Sequence, residues 1–214
     1  KYNIDLSRIY FTGFSMGGIM SYHMLCALPS RIAAIASVSG PMSEPDITNC
    51  NPGRAVPIMH MHGTVDGTVP YDTNALPSLS LVPATMQFWK TNNGCGDSTV
   101  YNLPDTAPSD NITVDTIVYS NCNAPVILWR ENNANHQWLY QPLNDVSATV
   151  EIWNFFKDKV HPGPSQLGEQ PFVQDGAASF TITANNQVIE IGAASPIRLV
   201  RVYDMQGRII LQKA

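Results

Sequence analysis

The pentapeptide Gly13-Phe14-Ser15-Met16-Gly17 constrains this chain more than any other stretch. It follows a short apolar run, residues 8–13 (RIYFTG). It opens a stretch in which Ile19, Met20, His23, Met24 and Ala27 recur at helical spacing until Pro29 stops it. A G-x-S-x-G string between a strand and a helix is the setting of a nucleophile elbow. The turn must be tight enough to lift the Ser15 hydroxyl clear of a sheet, which puts Ser15 in strained backbone. Side chains at positions 13 and 17 would then meet the adjoining strand and helix, and glycine at both avoids those clashes. The helix start aims free N–H groups, and the positive end of its dipole, at the place where an oxyanion forms. The backbone N–H of Met16 is the natural oxyanion donor. The plain alternative is a strand–turn–helix joint with a buried serine.

Three more apolar runs have the length of buried strands: residues 33–40 (AAIASVSG), 56–63 (VPIMHMHG) and 126–131 (VILWRE). Runs that are apolar on both faces suit parallel strands covered by helices. Pro83 to Asn93 reads as a helix, with Gly94 just past its end. Residues 145–159 read as an amphipathic helix with Val146, Val150, Trp153 and Phe156 on one stripe. This alternation spans residues 1–160 and predicts an α/β fold with a mainly parallel sheet flanked by helices. About four parallel strands would leave a sheet edge bare, which points to a missing N-terminal half.

The character changes at His161. Residues 161–176 carry prolines and glycines with little periodicity and read as a linker. Residues 177–214 then alternate apolar and polar in ASFTIT, QVIEI, IRLVRVYD and GRIILQK. Turn residues separate them at Asn185-Asn186 and Met205-Gln206-Gly207. A small antiparallel β module is expected, broken off in mid-pattern at Ala214.

Composition narrows the partners. The 214 residues hold 12 Lys plus Arg against 17 Asp plus Glu, a net charge of −5, and no basic cluster. That balance argues against nucleic acid and anionic membrane surfaces. No apolar run approaches the roughly 18 residues a membrane helix needs. Cys26, Cys50, Cys95 and Cys122 form no CxxC pair and no zinc pattern. Four cysteines in a chain poor in lysine suggest an exported protein with two disulfides; four reduced, buried thiols are the alternative.

A serine at its free pKa needs a base, and the base needs an orienting acid. Elbow geometry puts both after later strands, in the order Ser, acid, His. Asp66 follows the run ending at Gly63, and His136 follows the run ending near Glu131. Asp66 is therefore the expected acid and His136 the expected base. Asp72, His23 and His161 are the competitors. His60-Met61-His62 followed by Asp66 invites a metal reading, because residues i and i+2 of a strand share a face. The spacing lacks the H-x-H-x-D-H form, so packing and loop hydrogen bonds are preferred, and neither metal nor cofactor is expected.

Several stretches taken in order carry a resemblance: RIYFTGFSMGGIMSYHMLCALPSRIAAIASVSG, CNPGRAVPIMHMHGTVDGTVPY, FWKTNNGC and NCNAPVILWRENNANHQW. Together, over residues 3–157, they resemble the α/β-hydrolase family of poly(3-hydroxybutyrate) depolymerases and feruloyl or acetyl-xylan esterases. The resemblance implies the C-terminal part of an α/β-hydrolase, with Ser15 as nucleophile, Asp66 as acid and His136 as base. It also implies a Cys95–Cys122 disulfide and, by a weaker analogy, Cys26–Cys50. The family usually has glycine-rich sequence before that histidine and Trp-Pro after it; here the stretch is Asn-Asn-Ala-Asn-His-Gln-Trp. The tail from Phe180, above all VYDMQGRIILQ, resembles the sorting domain of proteins exported by the bacterial type IX secretion system. It implies an extracellular or cell-surface protein that meets secretion machinery.

The expected function is a serine carboxylic-ester hydrolase acting on feruloyl or acetyl esters of polysaccharide, or on a polyester. Trp138, two residues past the base, is the expected pocket wall, ahead of Trp89 and Met16. A prolyl-oligopeptidase-like peptidase and a non-catalytic polymer-binding module are the alternatives.

Overall fold

In the computed structural model, residues 5–73 and 76–163 are described, together with strand segments 180–185, 188–193, 200–203 and 209–213. Residues 1–165 form one unit and residues 166–214 a second.

The first unit begins with strand β1 (Tyr10–Phe14), helix α1 (Met16–Ala27) and strand β2 (Ala34–Val38). Next come α2 (Glu44–Asn49), β3 (Ile58–Gly63) and α3 (Val82–Asn92). The strands β4 (Ser98–Asn102), β5 (Thr113–Tyr119) and β6 (Val126–Asn132) precede a last helix, α4 (Ala148–Phe156). The six strands make one sheet in the order β1-β2-β3-β6-β5-β4. The pairs β1–β2, β2–β3 and β3–β6 are parallel, as the apolar runs predict. The pairs β6–β5 and β5–β4 are antiparallel.

Every residue of β2 and β3 is buried, because helices cover both faces of the sheet. Alternation along the strands divides the core. Ala34, Ala36, Val38, Met59, Met61 and Trp129 pack toward Ile152, Phe155 and Phe156 of α4. Ile35, Ile58, Val126 and Leu128 pack toward Tyr22 and Leu25 of α1 and toward Met86 and Trp89 of α3. Trp89 is wholly buried and stacks on Tyr22 at 6.0 Å, so it is core rather than pocket wall.

Two expectations need correction. The last helix runs 148–156, and its buried residues are Ala148, Ile152, Phe155 and Phe156. Of the expected stripe, Val146 and Phe156 are buried, but Val150 is 52% and Trp153 60% exposed. Apolar residues occur all round this helix, so periodicity did not settle which of them face the sheet. The antiparallel hairpin β4–β5 and the short α2 carry no clear apolar signal either. β4 (STVYN) is exposed along its whole length. A polar cluster joins the hairpin to β6: Asp115 accepts from Arg130 Nη2 at 2.6 Å, from Asn132 at 3.0 Å and from Asn102 at 2.6 Å.

Both cysteine pairs are joined, Cys26–Cys50 and Cys95–Cys122. No helix among the described residues is long and apolar enough to cross a membrane. In the second unit, β7 (Phe180–Asn185) pairs antiparallel with β8 (Val188–Ala193). Likewise β9 (Val200–Tyr203) pairs antiparallel with β10 (Ile209–Lys213). The linker beyond Gly163 and the turns at Asn186 and Met205–Gly207 lie outside the described residues.

Candidate active site

Ser15 sits between β1 and α1 with φ 57° and ψ −119°, a backbone conformation that costs about 1–3 kcal/mol for a residue with a side chain. Its N–H donates to the Val38 carbonyl at 2.8 Å, and its carbonyl accepts from Gly18 and Ile19 at 2.9 and 3.1 Å. The strain is thus held by β2 on one side and by the first turn of α1 on the other. Among the described residues, the Met16 N–H has no backbone partner. A Cβ at Gly13 would lie 2.5–2.7 Å from the backbone of Gly17, so glycine is required there. Gly17 itself differs from expectation: a Cβ there meets nothing within 4 Å. The tight second position is Gly40, whose added Cβ would strike the Ser15 carbonyl oxygen and lie 2.7 Å from the Ile19 nitrogen.

Asp66 lies in the turn after β3, with its side chain wholly buried. Its Oδ1 accepts the N–H groups of Thr68 and Val69 at 2.9 and 2.8 Å. Its Oδ2 accepts from His136 Nδ1 at 2.8 Å, and His62 Nε2 lies 3.3 Å from the same oxygen. Burial pushes its pKa up, but the bonds from His62, Val69, His136 and Thr68 outweigh burial and hold it well below the usual carboxylate range. Asp66 is therefore an anion throughout the neutral range.

The loop after β6 brings His136 to this anion. Asn133 takes φ 61°, a left-handed conformation that asparagine tolerates and glycine commonly fills. This is how a loop without glycine makes the bend. Asn133 N–H donates to Thr64 Oγ1 at 3.0 Å, and Val65 N–H to the Ala134 carbonyl at 3.1 Å. The Asn135 side-chain oxygen accepts from the N–H of Gly67 at 3.0 Å and of His136 at 2.8 Å. The loop after β3 and the loop after β6 are clasped together. On the other side, the ring of Phe14, the residue before Ser15, packs on the imidazole of His136 with centroids 4.6 Å apart.

The structure therefore unites Asp66 with His136 and sets the elbow strand against them. Among the described residues, Ser15 Oγ makes no hydrogen bond to His136. The competitors lie elsewhere. Asp72 is exposed, His23 bonds to Asp46 at 3.1 Å, and His161 bonds to the Pro29 carbonyl at 3.2 Å. Trp138 is partly buried against the α4 side of the core, and its indole N–H donates to Thr149 Oγ1 at 3.1 Å. Met16 is 72% exposed beside the elbow.

His60 and His62 do share a strand face, but their rings bond to each other. His60 Nε2 meets His62 Nδ1 at 3.1 Å, His60 Nδ1 meets the Tyr22 hydroxyl at 2.9 Å, and His62 Nε2 meets the Val69 carbonyl at 2.8 Å. All four ring nitrogens are committed to hydrogen bonds. Glu131, at the end of β6, is missed by sequence reasoning. Its carboxyl is wholly buried, and neither oxygen has a hydrogen-bond partner among the described residues. Burial, and then the charge of Asp66, push its pKa up to about 8, so it is mostly neutral at pH 7.

The sequence profile of the α/β-hydrolase family described as phospholipase/carboxylesterase matches residues 1–110, about half of the chain. The chain belongs to this family. It is similar to a bifunctional acetylxylan esterase/xylanase of Neocallimastix patriciarum, 43% identical over 72 residues, or 33% of this chain and 10% of that protein. Feruloyl esterase B of Piromyces equi is 32% identical over 132 residues, 58% of this chain and 23% of that protein. A probable feruloyl esterase C of Aspergillus terreus is 27% identical over 154 residues, 72% of this chain and 51% of that protein. The chain spans between a tenth and about half of the length of these relatives.

Proposed function

We propose that the protein is an exported serine carboxylic-ester hydrolase with Ser15 as nucleophile, His136 as base and Asp66 as its orienting acid. The observation that carries this reading is the 2.8 Å bond from His136 Nδ1 to a buried, anionic Asp66, set against the strand that leads into a strained Ser15. A His ring bonded in this way through Nδ1 keeps Nε2 bare and basic. Ser15 Oγ attacks the ester carbonyl carbon while His136 Nε2 takes its proton. The Met16 N–H stabilises the oxyanion. The tetrahedral intermediate then expels the alcohol, which receives the proton from His136. A water molecule, deprotonated by the same nitrogen, repeats the sequence on the acyl-enzyme and releases the acid.

The acyl group is proposed as feruloyl or acetyl on a plant polysaccharide, from the relatives named for those activities, with a polyester as the competing substrate. Trp138 is the proposed pocket wall. The two disulfides support an oxidising, extracellular setting. The VYDMQGRIILQ tail supports bacterial export through a type IX sorting domain.

The test is Ser15→Ala in the full chain, assayed on p-nitrophenyl acetate, methyl ferulate and a polyhydroxybutyrate suspension, with a peptide amide panel alongside. The expected loss in kcat is ~10³-fold or more, with loss of fluorophosphonate labelling. Wild-type rates in the variant would remove the mechanism; faster amide than ester turnover would reassign the substrate.

A further inference from the structure

We propose that His62, oriented by a directed hydrogen-bond chain from Tyr22 through His60, is a positioning residue that holds the Asp66 carboxylate for His136. The inference rests on the assignment of Ser15, Asp66 and His136 as the reacting group. It adds a residue that touches no substrate and acts through the acid.

The protons of the chain can be placed by elimination. The Val69 carbonyl can only accept, and so can the Asp66 carboxylate. Both face His62 Nε2, at 2.8 and 3.3 Å, so this nitrogen carries a proton. With one proton on each ring, His62 Nδ1 is bare and accepts from His60 Nε2–H at 3.1 Å. His60 Nδ1 is bare in turn and accepts from the Tyr22 hydroxyl at 2.9 Å. Each partner then fixes the next tautomer along the chain. Both rings are wholly buried. Burial, and then the neighbouring His62, hold the His60 pKa well below its usual value, which keeps that ring neutral.

The chain has a mechanical consequence. Tyr22 belongs to α1, the helix that starts next to Ser15; His60 and His62 belong to β3; Asp66 belongs to the following turn. The bonds therefore tie the nucleophile's helix to the acid across the sheet. His62 also grips the turn at two places, the Asp66 carboxylate and the Val69 carbonyl, while Val69 N–H returns a bond to Asp66 Oδ1. The Asp66 Oδ2 atom thus shares its negative charge between two imidazoles. The titratable groups facing this pair are His60 on the same strand, Tyr71 edge-on to His62 at 5.9 Å, and Glu131, whose ionisation feels the charge of Asp66.

Without the His62 donor, Oδ2 would direct its charge at His136 alone and lose one restraint on its rotation. The first effect strengthens the attraction of the carboxylate for the His136 ring in its charged form; the second slows the chemical step. Groups that orient a metal-bound imidazole from behind are commonly worth about 10–100-fold, and the same scale is expected here.

The experiment measures kcat, KM and the pH profile of kcat/KM for p-nitrophenyl acetate in the full chain. Wild type, Ser15→Ala, His62→Leu, His62→Gln and Tyr22→Phe are compared. His62→Leu is expected to lose about 10–100-fold in kcat with KM changed less than about threefold, and its acid limb should move to higher pH. His62→Gln, whose amide nitrogen can replace Nε2–H and whose oxygen can accept from His60, should restore most of kcat and the wild-type limb. A merely structural role lowers the fraction of active protein and leaves the limb in place. An unmoved limb in His62→Leu, or a His62→Gln no better than His62→Leu, overturns the proposal. Where His62→Leu fails to fold, Tyr22→Phe decides. Loss of its hydroxyl frees the His60 tautomer and should shift the limb in the same direction by less, and an unshifted limb overturns the chain. Wild-type turnover by Ser15→Ala would remove the underlying assignment and this inference together. Loss in Ser15→Ala beside unmoved limbs would remove the inference alone.

Discussion

At position 131 a carboxyl is shut away from water with no partner for either oxygen among the described residues, next to a second carboxyl that stays charged. The folded-state pKa of Glu131 is about 8, above its ordinary value of 4.5. The native state therefore holds this proton more tightly than the unfolded chain does. Its relative contribution is fully present below about pH 4.5 and is lost as pH rises toward 8. Glu131→Gln, which cannot ionise, should remove that slope. At pH 7 the gain is on the order of 3 kcal/mol, shrinking toward zero near pH 4. Urea unfolding of both proteins at pH 5 and pH 8 measures it; an equal gap at the two pH values would exclude ionisation as the source. Residues of this kind are not written in the chain. Asp66 and His136 are legible because each follows the end of a recognisable strand. Glu131 is indistinguishable in sequence from an exposed strand-end glutamate. Asn135 is equally silent, since its bond to Gly67 joins loops 68 residues apart.

At the scale of elements, the legible parts are those where local pattern and tertiary demand agree. The central strands β2 and β3 read as apolar runs because helices on both faces leave them no exposed side. The hairpin β4–β5 does not, because it extends the sheet beyond that cover and β4 has no buried face at all. Helix α4 failed differently: its extent was legible within a few residues, but apolar residues on both sides left the inward stripe undetermined. The elbow gives a sharper comparison, because the two outer glycines of G-x-S-x-G have different reasons for being small. Gly13→Ala drives a Cβ into the Gly17 backbone and should cost about 1–3 kcal/mol with a loss of esterase rate. Gly17→Ala enters open space in a helical turn and should be neutral, or stabilising by up to about 1 kcal/mol, with activity kept. Thermal unfolding and p-nitrophenyl acetate turnover of the two variants test this. An equal loss in both would mean that the turn tolerates no side chain on either side of Ser15.

For the first unit as a whole, the two disulfides are placed where the sheet's own hydrogen bonds do not reach. Cys26–Cys50 joins the end of α1 to the residue that caps α2, across 24 positions of sequence. Cys95–Cys122, across 27 positions, joins the chain just after α3 to the turn between β5 and β6. Both lie on the face packed by α1 and α3, beside Met86, Trp89 and Tyr119. The opposite face has no such tie and relies on α4 and its aromatic packing. Closing loops of this length removes unfolded-state entropy worth about 3 kcal/mol each in the chain-entropy account. Reduction should therefore lower the unfolding temperature by roughly 10 °C per bridge for a unit of this size. The site should respond less than the fold. His136, Asp66 and Asn135 are held by hydrogen bonds between the loops after β3 and β6, and neither loop contains a cysteine. Below the new transition, the reduced protein should keep the kcat of the proposed ester hydrolysis within about twofold. Differential scanning calorimetry and ester turnover, with and without dithiothreitol, separate the two effects; a loss of kcat well below the transition would mean that the bridges position the reacting groups as well as the helices.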